Sequence, residues 1–254
     1  DGTISALAYA WRLIGIGETL LVASLLTALY PALGAAAGVQ NRNEMQRLVG
    51  RGLATVATVL FPVCAVLLVC AGPMVALVFE HGSFGPSDTR RTAAAVLWYA
   101  PALLALGWRE VVVHASYALG DSRRPVLVAL VAMAVNVAGD LTLGPIFGIS
   151  GLAASTSLSL VFAAVANTWL LGRRHGAVAL RSVPGVVVRT AGAAAAGAAA
   201  GALVLWVLSP PADASVVGNL ESVAYTGLAV LGVFVAVLYI VQAPERHLLT
   251  EALR

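Results

Sequence analysis

Residues 223–241 read VAYTGLAVLGVFVAVLYIV, nineteen positions without a charge. As an α-helix, rising about 1.5 Å per residue, the run is about 28 Å long, close to the thickness of a bilayer's hydrocarbon core. Six earlier runs share this character: Leu13–Leu33, beginning as early as Ser5, then Leu53–Ala71, Thr92–Leu119, Val126–Leu143, Leu152–Leu171 and Val187–Leu208. The composition of the 254 residues agrees. Apolar residues make up 60% and Asp, Glu, Lys and Arg only 11%, against roughly a quarter in soluble domains. So few charges cannot cover a water-soluble surface, and neither a disordered chain nor a disulfide scaffold is this apolar. The expected fold class is an all-α polytopic membrane protein with about seven transmembrane helices.

The charges are placed as topology signals. The net charge is +3, and all fifteen basic residues are arginines lying mostly in short gaps between the runs. A nucleic-acid surface needs a continuous basic stripe instead. In alternate gaps stand Arg42, Arg47 and Arg51, then Arg123 and Arg124, then Arg173, Arg174 and Arg181, then Arg246 and Arg254 near the C-terminus. The other gaps hold Arg90 and Arg91 beside Glu80 and Asp88. The positive-inside rule puts the first set in the cytoplasm together with the tail, residues 243–254. Asp1 then starts outside, and an odd number of spans points to helices upstream of it. Pro125 reads as a helix start and Ser209-Pro210-Pro211 as a helix stop. Gly197 and Gly201 have the four-residue spacing that lets helices approach closely, although so much Ala and Gly also produces it by chance. Cys64 and Cys70 are six apart, about 240° around a helix, and cannot bond to each other.

Charge at membrane depth costs at least ~2.5–3.5 kcal/mol on insertion scales, so each case needs a partner, water or a function. The cases are Arg12 and Glu18 in the first span, Arg109, Glu110 and His114 in the third, and Asp140 in the fourth with Asn136 one turn earlier. Glu110 and His114 share a helix face, as a structural polar pair or as a proton carrier. Arg12 either reaches the outer interface or faces a cavity, where its planar fork of donors suits a phosphate. No metal-ligand spacing, phosphate loop or catalytic motif is present, so the reading is neither an enzyme nor a cofactor protein, and nucleic acid is not an expected partner.

Several segments resemble the MurJ/MviN lipid II flippases. Tyr9-Ala10-Trp11-Arg12-Leu13 is similar to their Tyr-Ala-Asp-Arg-Leu, and Thr27 to Pro31 to their Thr-x-x-x-Pro. Pro73 through Phe79, Gly82, Phe84 and Asp88 follows the spacing of their Pro-x-x-x-x-x-Phe-x-x-Gly-x-Phe-x-x-x-Asp loop. Tyr117, Asp121 and Pro125 fit Tyr-x-x-x-Asp-x-x-x-Pro, and Gly148 to Ala153 resembles Gly-x-x-Gly-Leu-Ala. The ordered motifs run from Asp1 to about Leu171, beyond which only hydropathy carries the likeness. Trp11 stands where the family has Asp, Gly17 where it has Pro, Arg109-Glu110 where it often has a lone basic residue, and Asp140 near a family Asn.

The resemblance implies fourteen helices in two six-helix lobes plus a final pair, of which these seven resemble helices eight to fourteen. Residues 1–171 would be second-lobe helices (five spans), 172–242 the last two helices with a groove for the lipid tail, and 243–254 a cytoplasmic tail. The implied function is moving undecaprenyl-pyrophosphate-linked peptidoglycan precursor across the bacterial cytoplasmic membrane by alternating access. Arg12 would bind the pyrophosphate, and Glu18, Arg109, Glu110, His114 and Asp140 would line the cavity or couple an ion. The implied partners are the lipid II-type substrate, membrane lipids, a missing N-terminal lobe and a coupling ion. The competing readings are a polysaccharide-unit flippase or cation-coupled drug exporter of the same superfamily, a non-transporting scaffold for cell-wall synthesis and, more weakly, a membrane enzyme acting on lipid phosphates.

Overall fold

The computed structural model describes residues 2–39, 41–208 and 215–241, and among these every regular element is helical. Seven stretches are long and apolar enough to cross a membrane, as the composition requires. The first, Thr3–Val22, consists of α1 (Thr3–Gly17) and a π-helical turn at Glu18–Val22, after which the helix continues as α2 (Ala23–Gly38). The turn begins one residue after Gly17, so the helix leaves regular α geometry there without a proline. Then follow α3 (Arg42–Phe79), α4 (Pro86–Ala118), α5 (Arg123–Phe147), α6 (Ile149–His175), α7 (Val183–Leu208) and α8 (Val216–Ile240). Ser209-Pro210-Pro211 and the tail 243–254, with Arg246 and Arg254, lie outside the described residues.

α3 and α4 outrun their apolar segments at the N-terminus, where each is capped. α3 starts eleven residues before Leu53, with the Asn41 side chain accepting the Glu44 N–H at 3.1 Å and Glu44 pairing with Arg47 at 2.6 Å. An acidic residue in a first turn also complements the helix dipole. At α4 the Gly85 N–H donates to the Asp88 carboxylate at 3.1 Å, and Pro86 takes the first position, where a missing N–H costs nothing. Inside α3 the backbone departs from helical values at Cys70 (φ −103°, ψ 19°), three residues before Pro73. That proline gives the Val69 carbonyl no donor and crowds it, which kinks the helix.

α4 is central, packed on α1, α3 and α6. Ile14, Leu33, Leu60, Leu103 and Val111 are all fully buried in the shared core. Around Pro101, which cannot donate to the Leu97 carbonyl, neighbouring helices supply polar contacts. Ser157 of α6 donates to the Trp98 carbonyl at 2.5 Å and the Cys64 thiol of α3 to that of Ala100 at 3.1 Å. Both cysteines are free and buried.

α5 is the outermost helix and packs chiefly on α6, while α7 and α8 pair with each other and dock together on α3. Lipid is as apolar as leucine, so these contacts depend on close fit rather than on escape from water. A Cβ at Gly197 would lie 2.7 Å from the Val230 carbonyl oxygen, and one at Gly201 2.6 Å from the Val230 side chain. The small-residue spacing in α7 is therefore a true packing seam, against α8. In the α5–α6 hairpin Gly148 has φ +57°, open to glycine at little cost, and a Cβ at Gly151 would run into the Leu143 carbonyl.

Contacts between turns show which loops share an end. Arg42 reaches the Gly176 carbonyl at 3.4 Å, and Asp121 holds both Arg124 and His175, the latter at 3.2 Å. These are the arginine-rich turns. At the opposite end Tyr9 packs against Phe79 and Phe84, with ring centroids 5.1 and 5.2 Å away. Two motifs far apart in sequence thus form one aromatic cluster.

Candidate functional site

A cavity of about 510 Å³, with charged and polar side chains set among apolar ones, opens between α1, α4, α5 and α6. α4 contributes the polar stretch in its second half, and three of the expected residues line the cavity: Arg109, Glu110 and His114. The Glu110 carboxylate pairs with Arg109 at 2.6 Å. The His114 Nδ1–H donates to the Glu110 backbone carbonyl at 2.7 Å and stands 3.5 Å from its carboxylate. The His114 ring is packed edge-on against Tyr30 of α2, centroid to centroid 4.1 Å. Glu110 is thus committed to the arginine more than to the histidine. Glu18, half-buried at the π turn, lies within electrostatic reach of both Glu110 and Arg109. Among the described residues the buried Nε of Arg109 has no hydrogen-bond partner.

The far wall sets a few neutral polar groups among apolar residues such as Val126, Met133 and Leu160. Asn136 of α5 lines the cavity and donates to Ser155 at 3.0 Å and Thr156 at 3.4 Å on α6. Ser155 in turn donates to Asp140, which stands behind that wall, outside the cavity lining. Ser159 and Asn167 complete the α6 side, with Asn167 donating to the Ala163 carbonyl at 2.8 Å. The α6 contribution was missed from sequence. Its signal was the hydroxyl-rich run Ser155-Thr156-Ser157-Leu158-Ser159 inside an apolar span.

Arg12 is outside this lining. Its side chain is exposed on α1, with the guanidinium 5.8 Å from the centre of the Tyr9 ring. Its neighbour Trp11 lines the cavity instead, held edge-on against Tyr99 at 5.3 Å. A second cavity, of about 610 Å³ and almost wholly apolar, lies among α1, α3, α4 and α8, lined by Leu13, Ile16 and Gly17 on one side and residues from Val223 to Leu231 on the other. Among the described residues no group of three His, Cys, Asp or Glu is placed to hold a metal ion.

The helical bundle thus holds a hollow with charged and polar side chains in its lining and an apolar groove beside it. The family model described as lipid II flippase MurJ matches residues 1–220, and the chain belongs to that family. The match continues past Leu171, where recognisable motifs end, through α7 and into the start of α8. A probable lipid II flippase MurJ of Rhizobium meliloti (strain 1021) is 32% identical over 153 residues, covering 60% of this chain and 29% of the relative. One of Synechocystis sp. (strain PCC 6803) is 26% identical over 231 residues, covering 90% and 43%. The chain thus spans less than half the length of these relatives. A solved structure, lipid II flippase MurJ in an inward closed conformation, superposes with a TM-score of 0.73 at 18% identity, covering 94% of this chain and 48% of that one.

Proposed function

We propose that this chain supplies the second half of a lipid II flippase in the bacterial cytoplasmic membrane, moving a polyprenyl-diphosphate-linked peptidoglycan precursor by alternating access. The observation that carries the reading is the pair of cavities around α1, one polar and one apolar. A lipid-linked precursor has those two chemistries in one molecule. Residues 1–171 act as second-lobe helices, 172–242 as the final pair bordering the lipid-tail groove, and 243–254 as a tail on the cytoplasmic side, where the arginine-rich turns lie. A first lobe closes the other side of the cavity and rocks against this one.

Arg12 contacts the diphosphate from the exposed face of α1, where a guanidinium offers paired donors and a permanent charge. Glu18, Arg109, Glu110 and His114 set the charge of the cavity, and Asp140, with Asn136, Ser155 and Thr156 about it, is the candidate for ion coupling. The test is Arg12→Ala and Arg12→Lys in the intact protein, reconstituted with fluorescent lipid II. Alanine should reduce translocation at least about tenfold, with lysine intermediate. Wild-type translocation in the alanine variant would refute the diphosphate role and favour a scaffold. Export of a cationic dye with no movement of lipid II would favour the drug-exporter reading.

A further inference from the structure

The polar cavity is ill suited to the diphosphate. Its charged lining includes an Arg109–Glu110 ion pair, so the one guanidinium that lines it is already matched by a carboxylate. The rest of the lining mixes apolar side chains, among them Leu106, Val126, Met133 and Leu160, with neutral polar ones. Asn136, Thr156, Ser159 and Asn167 carry amide and hydroxyl groups along one side, and an amide offers two donors and two lone pairs, more than its contacts within the protein use. On the other side stands Trp11, 38% exposed, with its indole braced against Tyr99 at 69° between ring planes. The volume, about 510 Å³, falls within the ~300–1,000 Å³ common for small-molecule sites.

We infer that Trp11 is a stacking platform for a pyranose ring of the substrate's saccharide, and that this cavity takes the sugar while the diphosphate stays beside Arg12. The inference rests on the flippase reading and adds to it a specificity-determining residue. A pyranose presents one face of C–H bonds, weakly positive, and a rim of hydroxyls. The face suits the negative π-surface of an indole, and the rim suits the amides and hydroxyls opposite. Consecutive helical residues point about 100° apart, so Trp11 and Arg12 address adjoining regions on either side of one ridge of α1. The substrate has matching adjacency, because its diphosphate is bonded directly to the anomeric carbon of the first sugar.

The experiment measures binding to the intact protein in nanodiscs, with undecaprenyl diphosphate and undecaprenyl-diphosphate disaccharide as the two probes. Trp11→Leu should weaken the disaccharide lipid about tenfold and leave the sugar-free lipid within about twofold, while Trp11→Tyr keeps most of the affinity for both. The tyrosine variant separates lost stacking from a disturbed helix. Equal weakening of both lipids by Trp11→Leu, or no weakening of either, overturns the platform while the flippase reading stands. If the wild type binds the disaccharide lipid no better than phosphatidylglycerol, the flippase reading fails and this inference with it.

Discussion

Replacing Gly139 by alanine tests how the outer wall of the polar cavity is held. α5 packs chiefly on α6, and the two backbones meet at Gly139, where an added Cβ would lie 2.6 Å from the Ser155 Cβ and 3.4 Å from its Cα. Carbon atoms pack at about 3.5–4.0 Å, so the helices must part there by about 1 Å. The Asn136–Ser155 bond, now 3.0 Å, would stretch to about 4 Å and cease to be a hydrogen bond. Interhelical hydrogen bonds in membranes contribute about 0.6 kcal/mol on average and up to ~1.7. Overpacking costs about 1–3 kcal/mol, and the better helix propensity of alanine offsets at most about 1 kcal/mol. The expected net loss is about 2 kcal/mol. The assay is a double-mutant cycle by reversible unfolding in bicelles. Asn136→Ala should be destabilising in the wild type and nearly neutral once Gly139 is alanine. Gly192→Ala is the control, since a Cβ there meets nothing within 4 Å. Simple additivity, within about 0.3–0.5 kcal/mol, would mean that the polar bridge does not depend on the close approach, and the reasoning would be refuted.

The α7–α8 seam should respond in the same sense: Gly197→Ala should lower thermal stability by about 1–3 kcal/mol of overpacking, whereas Gly232→Ala, on the open side of α8 with nothing within 4 Å, should not. At the arginine-rich end, burial pushes the Asp121 carboxyl up, but hydrogen bonds from His175 and Arg124 outweigh it and hold it below the ordinary 3.8. A depressed carboxylate stabilises fully above its unfolded pKa, and that contribution fades as pH falls through the folded one. Melting curves between about pH 6 and pH 2 should therefore show wild type losing its advantage over Asp121→Asn only below about pH 4; a constant difference across that range would count against the clamp.

The fold was legible because membrane spans depend on composition. Helices are the default for apolar segments of this length, since no water satisfies the backbone inside lipid, and seven segments were countable without any knowledge of packing. The extra turns of α3 before Leu53 were not countable, because Arg42, Glu44 and Arg47 carry no apolar signal and the helix there depends on a cap and an ion pair. The π turn at Glu18–Val22 and the kink at Cys70 were equally silent. The first has no proline beside it in the sequence, and the second is displaced three residues from the proline that causes it.

The site was legible by residue type and not by direction. Arg109, Glu110 and His114 stood out because charge in a span requires a cause, and they do converge on one cavity. For Arg12 and Trp11 the same argument gave no orientation. Both lie on a helix whose buried positions are Ala6, Ala10, Leu13 and Ile14, and a turn of about 100° per residue decides which neighbour faces the hollow. That phase is fixed by packing on α4, and because exposed positions such as Ile4 and Ile16 are as apolar as the buried ones, hydropathy alone does not reveal it. The consequence reaches the chemistry. Where the family motif puts an aspartate beside the arginine, this chain puts an indole, and a change from carboxylate to aromatic at the cavity wall removes a repulsion for anions while adding a surface for C–H bonds. Arg109 is already matched by Glu110, so a carboxylate at position 11 would add a negative charge with no partner in the lining, and the indole adds none.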